Sequence, residues 1–183
     1  VAKILLGMTG SVAAIRTPEL VAALDAAGQN VRLVATDAAT YFFDPKPFRD
    51  RLTLDADEWP DEAYRRGDPV RHIELRSWAD CFLIAPLDAN TLAKLANGLC
   101  DNALTSVFRA WDFAKPVIVA PAMNTQMWQN PLTRRQLQAL EQLLPSGRFT
   151  VVPPITKVLA CGDEGVGALA EVETIVGFVS QRI

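Results

Sequence analysis

Residues 3–36 read KILLGMTGSVAAIRTPELVAALDAAGQNVRLVAT. Lys3 to Met8 is a short apolar run, the pattern of a buried strand. Thr9-Gly10-Ser11 then turns into Val12-Ala13-Ala14-Ile15, a helical start for which Ser11 is a natural N-cap. Pro18 interrupts that pattern, and Thr17-Pro18-Glu19 itself resembles an N-cap followed by Pro at the first helical position. Two courses fit: a kinked helix, or a single turn followed by a second helix through Ala27. Gly28 ends either one. Asn30 to Thr36 is a second, β-branched strand. Strand, helix and strand in so short a stretch make a βαβ unit with a right-handed crossover, and that unit sets the fold class.

The same alternation continues outward. Asp80 to Pro86 is a third strand, the most apolar of all. Asp88-Ala89-Asn90-Thr91 caps a helix from Leu92 to Ala96 that Gly98 stops, and Asp101-Asn102 caps another from Ala103 to Trp111. Pro116 to Ala120 is a fourth strand. It empties into the polar, sulfur-bearing turn Pro121-Ala122-Met123-Asn124-Thr125-Gln126-Met127-Trp128 before Asn130-Pro131 opens a helix to Leu144. Thr150 to Pro153 is a fifth strand, and Val172, Ile175, Val176 and Val179 form the stripe of a closing helix. Two segments stand apart. Asp44 to Val70, with prolines at 45, 47, 60 and 69 and many acidic residues, reads as a surface excursion. Lys157 to Ala168, with glycines at 162, 165 and 167, reads as a loop. Residues 1–183 are therefore expected to form one α/β domain, a doubly wound, mainly parallel sheet of five or six strands, flavodoxin-like or Rossmann-like.

Composition narrows the function classes. A net charge of −3 over 183 residues leaves no basic excess to neutralise phosphates, which speaks against nucleic acid as the main partner. No apolar run approaches the roughly 20 residues that span a bilayer, so no membrane partner is expected. The three cysteines, Cys81, Cys100 and Cys161, lack metal-type spacing. They read as free thiols of a reducing, cytoplasmic compartment, with no metal site. Beginning at Val1 rather than Met, the sequence reads as a trimmed portion of a longer one.

Strand ends in such a sheet point one way, so Thr9-Gly10-Ser11, Thr36-Asp37-Ala38, Leu87 to Thr91 and Ala122 to Trp128 should share a crevice. Turns leading into helix N-termini, as at Gly10-Ser11 and Asp88 to Thr91, suit phosphate. Gly7 to Val12 lacks both the dinucleotide glycine spacing and a following P-loop lysine, so a mononucleotide fits better than a dinucleotide. Asn124, an amide among groups that carry no charge, suits an anion that must be held without a full ion pair. Cys161 stands in a glycine-punctuated loop before Asp163 and Glu164, an unusual setting for a buried structural cysteine. His72 is the only histidine.

The runs Gly10 to Ile15, His72 to Arg76 with Trp78-Ala79-Asp80, Ala89 to Leu92, Pro121 to Trp128 and Leu159 to Asp163 together resemble the flavin-containing cysteine decarboxylases. The resemblance is to the members acting on phosphopantothenoylcysteine, and it covers nearly the whole chain in order. It implies an FMN enzyme of coenzyme A biosynthesis that converts 4′-phosphopantothenoylcysteine to 4′-phosphopantetheine and carbon dioxide. It also implies a homotrimer with FMN at the subunit interfaces. Motif by motif, Gly10, Ser11, Val12, Ala13, Thr36, Asp88, Ala89, Asn90, Thr91 and Ala122 would contact FMN. His72 would be the catalytic histidine, Asn124 the ligand of the substrate carboxylate and Met127 a neighbour of the reacting centre. Ala160 and Lys157 would also meet substrate, and Cys161 would supply the last proton. Ser77 and Val158 depart from the family, which usually has a second basic residue at each place.

The implied chemistry explains the residue types. Oxidation of CH₂–SH by the flavin gives a thioaldehyde with the carboxylate β to C=S, so carbon dioxide can leave; electrons then return, and the net reaction is redox-neutral. An arginine pair would stabilise the carboxylate ground state and raise the barrier to neutral carbon dioxide, whereas an amide orients it with less of that penalty. His72 could assist thiol deprotonation or position the carboxylate. The resemblance leaves two alternatives: a flavin-binding inhibitory subunit of a protein phosphatase, and a peptide cysteine decarboxylase.

Overall fold

The computed structural model describes residues 1–158, 162 and 164–183, apart from the side chain of Glu164. In chain order its strands are β1 (Lys3–Met8), β2 (Asn30–Ala35), β3 (Leu52–Thr53), β4 (Cys81–Leu87), β5 (Val117–Pro121), β6 (Phe149–Val151), β7 (Ile155–Val158) and β8 (Glu164–Ala168). The helices are α1 (Thr17–Ala26), α2 (Asp55–Glu58), α3 (Arg71–Trp78), α4 (Ala89–Asn97), α5 (Ala103–Arg109), α6 (Thr125–Gln129), α7 (Pro131–Leu143) and α8 (Val172–Ser180). Six strands form one sheet in the order β3-β2-β1-β4-β5-β6. Every pairing in it is parallel. The expected doubly wound, mainly parallel sheet is present.

The strand order reverses between β1 and β4, and the βα turns after these two strands part to opposite faces there, opening a crevice. Alternation along β1 divides the core. Ile4, Leu6 and Met8 pack with Leu20, Leu24, Ile175 and Val179 under α1 and α8. Leu5 faces the other side with Phe82, Leu104, Val107 and Leu140 under α5 and α7. All of these side chains are buried, so β4 can be apolar at every position, as a strand covered on both faces must be.

The choice left open after β1 resolves as a turn followed by a helix. Val12–Arg16 is a 3₁₀ turn capped by Ser11, and α1 follows. Thr17 is not the cap, because its backbone is already helical (φ −52°, ψ −46°) and Arg16 takes the flanking position.

Two readings need correction. The 157–168 segment does not stay irregular: β7 and β8 form an antiparallel pair. The 44–70 excursion is ordered in its first half, giving a 3₁₀ turn at Lys46–Phe48, the edge strand β3 and the single-turn α2. Buried Phe43 and Phe48 anchor it to the core, which local composition does not reveal.

Candidate active site

Three turns at the carboxyl edge of the sheet are fastened together. Thr9, fully buried at the end of β1, donates its hydroxyl to the Pro86 carbonyl (2.8 Å) and accepts the Asp88 N–H (2.8 Å). The β1 and β4 turns are thereby held across the switch point. Gly10 sits where they meet the β2 turn: a Cβ there would lie 2.7 Å from the Ala38 Cβ and 3.2 Å from Asp88 Oδ2. Only a residue without a side chain fits that junction, and the backbone of Gly10-Ser11 stays accessible to a ligand.

Each turn leads into a capped helical segment. Ser11 Oγ accepts from Ala13 N (3.3 Å), Thr36 Oγ1 from Ala39 N (3.3 Å) and Asp88 Oδ1 from Thr91 N (2.7 Å). Remaining N–H groups at these ends are donors suited to an anion.

Beside the turns lies a cleft of about 550 Å³. Val12, Ala13, Ile15, Ala122, Met123, Ala168 and Leu169 line it, with Asn124, Arg16 and Lys157 as polar members. Val12 and Ile15 are 44% and 59% exposed, an apolar surface at the first turn ready to be covered by a flat ring. A phosphate on the turns and a ring system in the cleft is the donor set an FMN would use, and the Gly10 junction leaves room for close backbone contact. The residues present fit the group.

Asn124 has one end committed. It is the N-cap of α6, and its Oδ1 accepts the Met127 N–H at 2.9 Å. The amide oxygen being engaged, the Nδ2 hydrogens are what this exposed side chain can offer to an anion. Met127 is 48% exposed on the same helix turn.

The β7–β8 pair is held against this turn. Met123 N donates to the Gly167 carbonyl at 2.9 Å. A Cβ on Gly167 would lie 2.2 Å from the Met123 oxygen, and one on Gly165 would lie 2.1 Å from Thr125 Oγ1. Those two glycines let β8 approach the turn as closely as backbone allows. The segment joining β7 and β8 carries Ala160 and Cys161, which lie outside the described residues.

A charge network borders the cleft. Arg16 donates to Glu19 (3.0 Å) and to Glu171 (3.0 Å), and Lys157 Nζ lies 3.6 Å from Glu171. The hydrogen bond with Glu19, outweighing burial and aided by Glu171, holds the Arg16 guanidinium above its ordinary value. Glu171 is lowered by the Arg16 hydrogen bond and then by Lys157. These ion pairs tie the first turn to β7 and to the start of α8. Sequence reading missed Arg16 and Glu171, which are 155 positions apart with no shared motif.

His72 is elsewhere in the chain. It lines a second cleft of about 250 Å³ with Glu58, Trp59, Tyr64 and Val70, and the two clefts share no residue. Its Nδ1 pairs with Glu58 Oε1, and its backbone N–H donates to Glu58 Oε2 at 2.9 Å. Of the predicted residues, then, the first cleft gathers Val12, Ala13, Ala122, Asn124 and Lys157. Gly10, Ser11, Thr36 and Asp88 to Thr91 adjoin it on the fastened turns, and His72 is not brought to it. Cys81 is buried, and burial pushes its thiol up to about 12, as befits a packing residue.

Comparison with known proteins places this geometry. A family model described as Flavoprotein matches residues 1–183. A phosphopantothenoylcysteine decarboxylase of Mus musculus is 51% identical over 178 residues, covering 97% of this chain and 85% of that one. Among solved structures, a mutant PPC decarboxylase complexed with pantothenoylaminoethenethiol superimposes with a TM-score of 0.89 at 48% identity, over 98% of this chain and 97% of that one. The FMN binding protein AtHal3 gives a TM-score of 0.84 at 49% identity, over 98% and 95% of the two chains.

Proposed function

The chain belongs to the flavoprotein family, among its phosphopantothenoylcysteine decarboxylases, and on that premise we propose how its residues carry out the reaction. It is an FMN-dependent decarboxylase that converts 4′-phosphopantothenoylcysteine to 4′-phosphopantetheine, a step of coenzyme A biosynthesis. The single observation that carries the reading is the Asn124 turn: an amide with its oxygen tied down and its N–H₂ free, at the rim of an apolar cleft bordered by phosphate-type turns.

Bound FMN supplies reversible two-electron oxidation, so no external carrier is needed. The Gly10-to-Ala13 turn, Thr36, Asp88 to Thr91 and Ala122 would hold it. Asn124 Nδ2 orients the substrate carboxylate, and the amide loses little when that group departs as neutral carbon dioxide. Apolar Val12, Ala122 and Met123 keep water from the carboxylate, which favours loss of its charge. Lys157, on β7 at the cleft rim, offers a cation to the phosphate end of the substrate. His72 takes the thiol proton, and Cys161 returns a proton at the end. The presence of His72, Asn124 and Cys161 together favours an enzyme over a purely regulatory subunit.

The protein works as a homotrimer in which His72 of one subunit completes the cleft of the next. What supports this is the separation of His72 from the Asn124 cleft, together with an uncovered apolar surface near His72. Trp59, Tyr64, Val70 and Ile73 are 56%, 76%, 45% and 38% exposed there. Cytoplasmic residence accords with Cys81 and Cys100, both free thiols.

The deciding experiment is incubation of the FMN-loaded protein with 4′-phosphopantothenoylcysteine, followed by mass spectrometry. Loss of carbon dioxide with the flavin again oxidised is expected. A protein that holds FMN and leaves the substrate intact would overturn the reading.

A further inference from the structure

Glu58 is the most secluded carboxylate among the described residues. Its side chain is 4% exposed, and both of its oxygens are taken by one residue, His72. Among the described residues no Lys or Arg lies within ion-pair distance of it. A buried carboxylate with no permanent cation is costly to keep, so its retention calls for a role.

Its placement is built from several directions. Glu58 is the last residue of α2, a helix too short to stand alone. Asp55, at the other end of that turn, accepts from Ala103 N at 2.9 Å and from Asp37 N at 3.2 Å. Asp57 binds Arg49 and accepts from Leu54 N at 2.7 Å. The single turn is thus fixed to α5, to the β2 turn and to its own entry. On the other side, His72 sits in the first turn of α3. That helix is fastened at its far end by Lys115 Nζ, which donates to the carbonyls of Arg76 (3.1 Å) and Ala79 (2.7 Å).

We propose that Glu58 is the positioning residue of His72. An ionised carboxylate can only accept, so the imidazole must present Nδ1–H to it, and Nε2 carries the lone pair. Among the described residues Nε2 has no hydrogen-bond partner. The pairing gives the neutral ring the form that the base role of His72 requires, with Nε2 left to accept a proton. Nε2 accepts the proton of the substrate S–H. The sulfur keeps the bonding pair as a thiolate, and the Glu58 carboxylate stabilises the imidazolium that forms. The inference rests on the decarboxylase reading and deepens it.

His72 is the only histidine of the chain, so one imidazole signal reports on it without assignment. Nitrogen NMR of the ¹⁵N-labelled, FMN-loaded protein in alkaline buffer should show a protonated Nδ1 and a bare Nε2. The opposite tautomer in the wild type would overturn the proposal outright, whatever the variants do. In Glu58→Gln the amide oxygen satisfies the His72 backbone N–H, and its NH₂ can only donate to Nδ1, which reverses the tautomer. That variant should retain FMN and substrate KM while kcat falls on the order of 10²–10⁴-fold. Glu58→Asp, which keeps a carboxylate, should recover part of the loss. In a His72→Asn background Glu58→Gln should cost nothing further. Equal losses in both backgrounds, or an unchanged tautomer with unchanged kcat, would reject the role. Should the wild type fail to decarboxylate at all, the functional reading falls, while the NMR result still decides whether Glu58 sets the tautomer.

Discussion

At the scale of single residues, Asn124 shows how one side chain divides its labour. Its oxygen caps α6 and its N–H₂ remains for the substrate, so replacement by Asp keeps the cap and reverses the interaction with a carboxylate. Asn124→Asp should therefore fold and bind FMN as before, with kcat/KM lowered on the order of 10²–10³-fold in a coupled carbon dioxide assay. Wild-type turnover in that variant would remove Asn124 from the carboxylate site. The residue was legible from sequence because strand, turn and cap are contiguous there. Glu58 was not: it is one acid in an acidic run, and only its seclusion against His72, 14 positions on, separates it from its neighbours.

At the scale of elements, the β7–β8 pair was misread because glycines at 165 and 167 count against a strand when judged locally. Their purpose is contact with another element, where a side chain would strike Thr125 or the Met123 carbonyl. Gly167→Ala makes the point testable, since that residue also has φ +136°. Strain of about 1–3 kcal/mol and loss of the Met123 N to Gly167 O hydrogen bond should lower Tm. The displaced β8 should raise the substrate KM while FMN stays bound. Gly28→Ala is the control: its φ is +77° but nothing lies within 4 Å, so it should cost stability and leave KM alone. A raised KM in both variants, or in neither, would break the assignment of β8 to the substrate cleft.

At the scale of the molecule, the two clefts predict how mutants combine. Mixed and refolded together, the impaired His72→Asn and Asn124→Asp proteins should regain part of the wild-type rate, because some sites would draw both intact residues from different chains. No recovery in verified mixed oligomers would place both residues in one chain's site. Acid stability is likewise a property of the whole. Hydrogen bonds from Arg16 lower Glu19 and Glu171, and Lys94 lowers Asp101; for Asp57 burial pushes upward, but Arg49 and the Leu54 N–H prevail and lower it. A lowered carboxyl contributes stability that is complete above its unfolded value, near 4, and is lost as pH falls through its folded value. Asp55, raised by burial, acts in the opposite sense, its contribution fading as pH climbs through its raised value. Four against one, Tm should decline as pH is taken from about 5 to about 3. A flat profile across that range would refute it.

What the sequence determined by itself was everything written in local periodicity: the βαβ start, the parallel doubly wound class, the capped turns and the Asn124 motif. Apolar spacing and cap chemistry act within a few residues and survive being read one segment at a time. The edge strand β3, the β7–β8 pairing, the Arg16–Glu171 tie and the Glu58–His72 pair were decided only in the folded chain. Each depends on groups from separate elements meeting in the folded chain, and whether they meet is set by how closely those elements approach, which no short stretch encodes.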